Sequence, residues 1–157
     1  MCVVVDTNAF GRVFDITNVE HGDFRPVYEW IIKGKGKLIV GGSKYKTEIL
    51  GRSKNNIQLA SRLDKARKVC FLNDDEVDTV MSNLEAQKTH RDFDDSHILA
   101  MCIVSRCLVV CTGDSRSHKF LKMKSLYPKN QRRPGIYSGK DNADLLTNDA
   151  LLPCSRL

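Results

Sequence analysis

No apolar run in this chain approaches the ~20 residues that a membrane-spanning helix needs, so no membrane partner is expected. The opening MCVVVDTNAF does not read as a secretory leader, because no basic start precedes it and Asp6 interrupts the apolar stretch; a cytoplasmic protein is expected. No CxxC pair occurs among Cys2, Cys70, Cys102, Cys107, Cys111 and Cys154, which argues against a zinc site. In a reducing compartment these cysteines read as small buried hydrophobes rather than as halves of disulfides. Internal repeats, low-complexity tracts and linkers are missing too, so 157 residues make one domain. The most localised absence is of acid: from Ser115 to Lys140 the chain carries Arg116, Lys119, Lys122, Lys124, Lys129, Arg132, Arg133 and Lys140 and no carboxylate.

What is present is ordinary in bulk and uneven in detail. A hydrophobic fraction of 41% suits a packed core, and the net charge of +6 with a pI near 9.1 favours a polyanionic partner. A second basic stretch, Lys33 to Lys54, has Glu48 as its only acid. Each basic run is either a solvated face or a nucleic-acid contact, and two acid-poor runs beside candidate acidic positions favour the second.

Strand-like runs alternate with helix-like ones, the pattern of a parallel α/β sheet. Strands are predicted at Cys2 to Val5, Leu38 to Val40, Val69 to Leu72 and Leu108 to Cys111, with a short fifth at Ile136-Tyr137 on an edge. Helices are predicted from Pro26, from Ser43 as N-cap, over Ile57 to Lys68, after an Asn73–Glu76 capping box, after Asp92-Phe93-Asp94-Asp95-Ser96, and over Ser117 to Lys124. A short helix is expected near Leu145.

On that plan the acids fall at element ends. Asp6 ends the first strand and Asp114 follows the fourth, beyond Thr112-Gly113. Glu48 lies in the first turns of the helix after the second strand; Asp92, Asp94 and Asp95 head the helix before the fourth. The first and fourth strands would be neighbours where the strand order reverses, so Asp6 and Asp114 would face one crevice. Carboxylates gathered there raise one another's pKa unless a cation is present, and oxygen ligands suit Mg²⁺ or Mn²⁺. Each acid also has a plainer role, Asp95 as a helix N-terminal charge and Asp114 as a turn residue. Asn8 and Thr112 either line the site or cap turns. His97 reads as a packing or surface residue, and His118 belongs to the basic run.

With those residues in view the chain resembles a PIN-domain ribonuclease. The carriers are VVVDTNAF, KYKTEIL, DFDDSHILA and VVCTGDSRSHKF, in the family's order from Met1 to about Leu121. The resemblance implies an α/β fold, a single PIN-like domain with a central parallel sheet of 4–5 strands flanked by helices. Its core would span about residues 1–140, with a short C-terminal extension over 141–157. It implies that Asp6, Glu48, Asp95 and Asp114 are catalytic and metal-binding, with Asn8, Thr112, Asp92 and Asp94 auxiliary. Asp95 is the leading third ligand, and Asp92 and Asp94 remain its alternatives. Lys44, Lys46, Arg116, Lys119, Arg132 and Arg133 are the expected nucleic-acid contacts. The implied reaction is Mg²⁺- or Mn²⁺-dependent endonucleolytic hydrolysis of RNA, leaving a 5′-phosphate and a 3′-hydroxyl.

A small free-standing domain of this kind also resembles the toxin of a toxin–antitoxin pair. Expected partners are therefore RNA, an antitoxin protein and a second copy of the chain in a homodimer. The alternative function is a catalytically inactive PIN-like RNA-binding or scaffold module, which usually shows missing acids. A receiver domain would want an acidic pair at the first strand, which offers Asp6 alone. A haloacid-dehalogenase-like phosphatase would want Asp at position 8, which is Asn8.

Overall fold

A computed structural model describes residues 1–51, 53–87 and 94–147. Asp92 lies outside the described residues, as does the extension beyond residue 147. The architecture is α/β: a parallel sheet of order β3-β2-β1-β4-β5, flanked by helices. The strands are β1 (Cys2–Val5), β2 (Lys37–Val40), β3 (Val69–Phe71), β4 (Val109–Cys111) and β5 (Gly135–Tyr137).

β1 occupies the centre because its side chains can be buried on both faces. Val3, Val4 and Val5 are fully buried, the continuous apolar run that a covered parallel strand requires. Each such side chain contributes roughly 1.5–3 kcal/mol of burial. β1 pairs with β4 through Val3 to Val109, Val4 to Val110 and Val5 to Cys111. That register brings Asp6 and Thr112 side by side at the carboxyl ends, and the Asp6 amide continues the ladder onto Cys111 O at 2.8 Å. β5 is the edge strand beside β4, as its short apolar pair predicted.

The helices are α1 (Thr7–Phe14), α2 (His21–Ile32), α3 (Ser43–Leu50), α4 (Lys54–Lys65), α5 (Asp74–Ala86), α6 (Ser96–Ser105) and α7 (Ser115–Leu121), with a 3-10 turn over Lys140–Leu145. Two are shifted by two or three residues, α4 against the expected Ile57 to Lys68 and α7 against Ser117 to Lys124, and three differ more. α1 had no counterpart there; it buries Ala9, Phe10 and Val13 directly after Asp6. α2 begins at His21, so Pro26 lies inside the helix instead of in its first turn. α3 is capped from Gly42, not Ser43: Asp74 Oδ1 accepts from Gly42 N at 2.8 Å, and Asp78 Oδ1 accepts from Ser43 N at 2.9 Å. The chain needs glycine there, because Gly42 has φ +81° and a Cβ would sit 2.7 Å from Val77 Cγ1. The N-cap expected at α5 forms, with Asn73 Oδ1 accepting from Glu76 N at 3.1 Å.

α6 is apolar all round, with Ile98, Leu99, Ala100, Met101 and Cys102 all buried. Such a helix has to be covered on more than one side, and α6 packs on α5 and against β1. Cys70, Cys102, Cys107 and Cys111 are buried, as expected. Cys2 departs from the expectation, being disulfide-bonded. Among the described residues no helix is long and apolar enough to cross a membrane.

Candidate functional site

The carboxyl ends of β1 and β4 carry a hydrogen-bonded polar cluster. Asp6 is almost wholly buried, 1% exposed. A buried carboxylate needs donors, and three side chains supply them: Thr112 Oγ1 donates to Asp6 Oδ2 at 2.7 Å, Asn8 Nδ2 donates to the same oxygen at 2.6 Å, and Thr7 Oγ1 donates to Oδ1 at 3.4 Å. Asn8 Oδ1 in turn accepts from Gly113 N at 3.0 Å, and Thr112 Oγ1 accepts from Asp114 N at 3.1 Å. Asn8 and Thr112 thus tie the end of β1 to the turn after β4 and fix the direction of both acids.

Asp114 is the N-cap of α7. Its Oδ1 accepts from Arg116 N at 2.9 Å, and the Arg116 guanidinium closes on both oxygens, Nη2 reaching Oδ2 at 2.6 Å. The Arg116 side chain holds the Asp114 carboxyl below the usual carboxylate range. Arg116 was expected to touch nucleic acid; in this structure it lies on an acid of the site.

Asp95 stands just before α6, half-buried, and makes no side-chain cap to its own helix. Burial pushes its carboxyl up to about 6, and the charges of Asp6, Asp114 and Asp94 push the same way against Lys44. Asp6, Asp95 and Asp114, from three separate elements, therefore lie within electrostatic reach of one another. Asp94 is exposed, and its carbonyl accepts from Lys44 Nζ at 3.3 Å.

Glu48 joins the group through a histidine. His97, the second residue of α6, is buried, and its Nε2 stands 3.6 Å from Glu48 Oε2. Neither ring nitrogen has a hydrogen-bond partner among the described residues. Burial lowers the His97 pKa, and Glu48 and Asp6 act in the opposite sense. His97 is the correction to its reading as a packing or surface residue: it is buried, but its ring faces carboxylates.

The remaining expected contacts are dispersed. Lys46 Nζ is paired with Asp74 Oδ2 at 2.5 Å, on the side of α3 that meets α5. Lys119 is exposed, with its ammonium 4.8 Å from the Phe120 ring centre. Arg132 and Arg133 precede β5 and so belong to the opposite, amino-terminal end of the sheet. Sequence reasoning also missed Arg12. From α1 it pairs with Glu20 at 3.0 Å, and its guanidinium passes so close to Gly113 that a Cβ there would meet Nη1. The signal was local: Ala9, Phe10 and Val13 place one apolar stripe, leaving Arg12 beside it.

Among the described residues no three His, Cys, Asp or Glu side chains are arranged around a single point at metal-holding distance. The hydrogen bonds explain why. One Asp6 oxygen is engaged by Asn8 and Thr112, and both Asp114 oxygens face Arg116. The donor set still fits a hard divalent cation in chemistry: Asp6, Asp95, Asp114 and Glu48 supply oxygen only, and the charges of Asp6 and Asp114 act on a half-buried Asp95, opposed by Lys44. The chain matches no protein-family model, no curated protein and no solved structure.

Proposed function

We propose that the protein is a PIN-like, divalent-metal-dependent endoribonuclease acting in the cytoplasm. The single observation that carries the reading is the gathering of acids from three elements: Asn8 and Thr112 tie Asp6 to the turn that carries Asp114, and both acids act on half-buried Asp95 at the head of α6. Such repulsion is stabilised by binding a cation, and the basic flanks supply affinity for a polyanion. Asp6, Asp95 and Asp114 would hold Mg²⁺ or Mn²⁺, which when bound activates water and stabilises charge on a phosphodiester. Asn8 and Thr112 orient Asp6. Glu48, beside His97, positions the attacking water or a second ion. Arg116 would leave Asp114 for the substrate phosphate, exchanging one anion for another. The toxin–antitoxin role rests on the resemblance alone, with an antitoxin chain covering the acids.

The test is cleavage of a mixed RNA pool by the purified chain with Mn²⁺ or Mg²⁺, beside a chelator control and Asp6→Asn. Cleavage lost in both controls supports the nuclease. Cleavage that survives Asp6→Asn overturns it. RNA bound without cleavage would favour the binding-module alternative, in which Arg116 permanently occupies Asp114.

A further inference from the structure

The basic segment between α7 and β5 has no part in the acid site, and its placement says what it does. Because all strands are parallel, residues 122–134 arrive at the amino end of β5, where Gly135 N donates to Leu108 O at 2.8 Å. Gln131 Nε2 anchors the segment to the last turn of α6, donating to Cys102 O at 3.2 Å and Ile103 O at 3.1 Å. Asp95 sits at the other end of that helix. Seven to eight helical residues, about 11 Å, separate it from the two carbonyls that Gln131 holds.

There the chain forms a hollow of about 630 Å³ whose wall carries Lys122, Lys124, Lys129, Arg132 and Arg133 and no carboxylate. The hollow is built. Tyr127 is buried and its hydroxyl donates to Leu121 O at 2.8 Å; Asn130 turns the chain with φ +70°. Lys122 Nζ donates to Pro134 O at 2.8 Å, and Arg133 Nη1 donates to Lys122 O at 2.9 Å. Two cations are thereby held in place, while Lys124, Lys129 and Arg132 project as exposed side chains. No exposed large apolar side chain lines the hollow. A protein partner would want such anchors, whereas a phosphate backbone wants grouped cations.

We propose that this hollow docks the phosphate backbone of single-stranded RNA, as a contact separate from the acids at the opposite end of the sheet. Only the choice of RNA as the polyanion rests on the nuclease reading. Docking accounts for a basic segment that the cleavage chemistry leaves unused, and it holds an RNA strand while a distant phosphodiester reaches Asp6 and Asp95.

The experiment uses the full chain carrying Asp6→Asn, with chelator, so that binding is read without cleavage. A fluorescent mixed-sequence RNA oligonucleotide is titrated by anisotropy across a salt series. Lys129→Glu with Arg132→Glu is expected to weaken binding at least ~10-fold at low salt and to flatten the salt slope by about 0.7 per lost phosphate contact. Arg62→Glu with Lys65→Glu, equal in charge change and outside both the hollow and the two basic runs, is expected to change binding by less than half as much on the logarithmic scale. Both pairs are exposed, and an unchanged thermal melt confirms that each variant folds. Equal weakening by the two pairs would reduce the effect to bulk charge and overturn the proposal. So would an unchanged salt slope, or a hollow that takes a polyglutamate peptide and not RNA. Loss of the nuclease reading would show instead as cleavage surviving Asp6→Asn, a result that leaves the docking measurement standing.

Discussion

At the carboxyl ends of the strands, Asp6 is buried under two short hydrogen bonds and Asp114 is clasped by a guanidinium. At the amino ends, Lys124, Lys129 and Arg132 stand exposed around an open hollow. One end concentrates like charge in a desolvated place and restrains it with donors. The other spreads like charge in water, where repulsion is weak and screened by salt. A reaction needs the first arrangement, because groups that act on a bond must be fixed and partly dry. Holding a polymer needs only the second. The difference makes the two ends separable by experiment.

Asp6→Asn breaks the comparison most severely. It removes charge from the buried end alone, and cleavage of RNA is expected to fall at least ~100-fold, the scale of losing one preorganised charge-stabilising group. The hollow should keep its share of RNA binding, read by anisotropy in chelator. Next in size is Thr112→Val, which takes a donor from Asp6 Oδ2 and an acceptor from Asp114 N. A loss of about 1–3 kcal/mol is expected from the denaturation midpoint; no loss would mean that the polar tie does not hold the site.

The third prediction uses pH. The Asp95 carboxyl is raised in the folded chain to about 6 from an ordinary 3.8. The folded state therefore binds this proton more tightly than the unfolded state does. The associated stability is present below about pH 4 and is lost as pH rises through about 6. In chelator, Asp95→Asn should thus stabilise the fold at pH 7, by about 1 kcal/mol once its partial exposure is discounted. The gain should vanish by pH 4 in melts run across the range. A constant offset at every pH would remove Asp95 from the repelling set. The smallest effect is expected at Arg116, whose side chain is mostly exposed. Arg116→Ala should tighten Mn²⁺ about 2- to 5-fold by calorimetry, because an exposed ion pair is worth roughly 0.2–1 kcal/mol. Weaker Mn²⁺ binding would show that the guanidinium helps the site instead of competing with a cation.

Much of the frame was legible because its causes are local. The Val3-Val4-Val5 run reads as a central strand, and Asn73 three residues before Glu76 reads as a helix start. Even β5 was marked, by an apolar pair after Pro134-Gly135. Legibility failed where a distant partner decides. Gly42 displaced Ser43 as the cap of α3 because Asp74 and Asp78, far along the chain, supply the acceptors. α1 was overlooked although Asp6 is a favoured N-cap type; in the fold that side chain makes no cap bond and instead accepts from Asn8 and Thr112.

In the site, positions were readable and states were not. That Asp6, Asp95 and Asp114 end or begin elements follows from the apolar runs beside them. How far those acids repel depends on burial and on charges from other elements, and only the assembled sheet fixes either. His97 gave no local sign of facing Glu48, since α6 is apolar on every side and its sequence does not say which neighbour each face meets. The basic run after Ser115 was plain in the composition; that it lies a helix length from the acids follows from strands that all point one way. Local preferences act within a few residues, so the chain by itself determined its strands, most of its helices and the kinds of group they carry. Desolvation and Coulomb interaction act through space, so only the tertiary structure decided which acids crowd together, which cation covers one of them, and which cations stand apart.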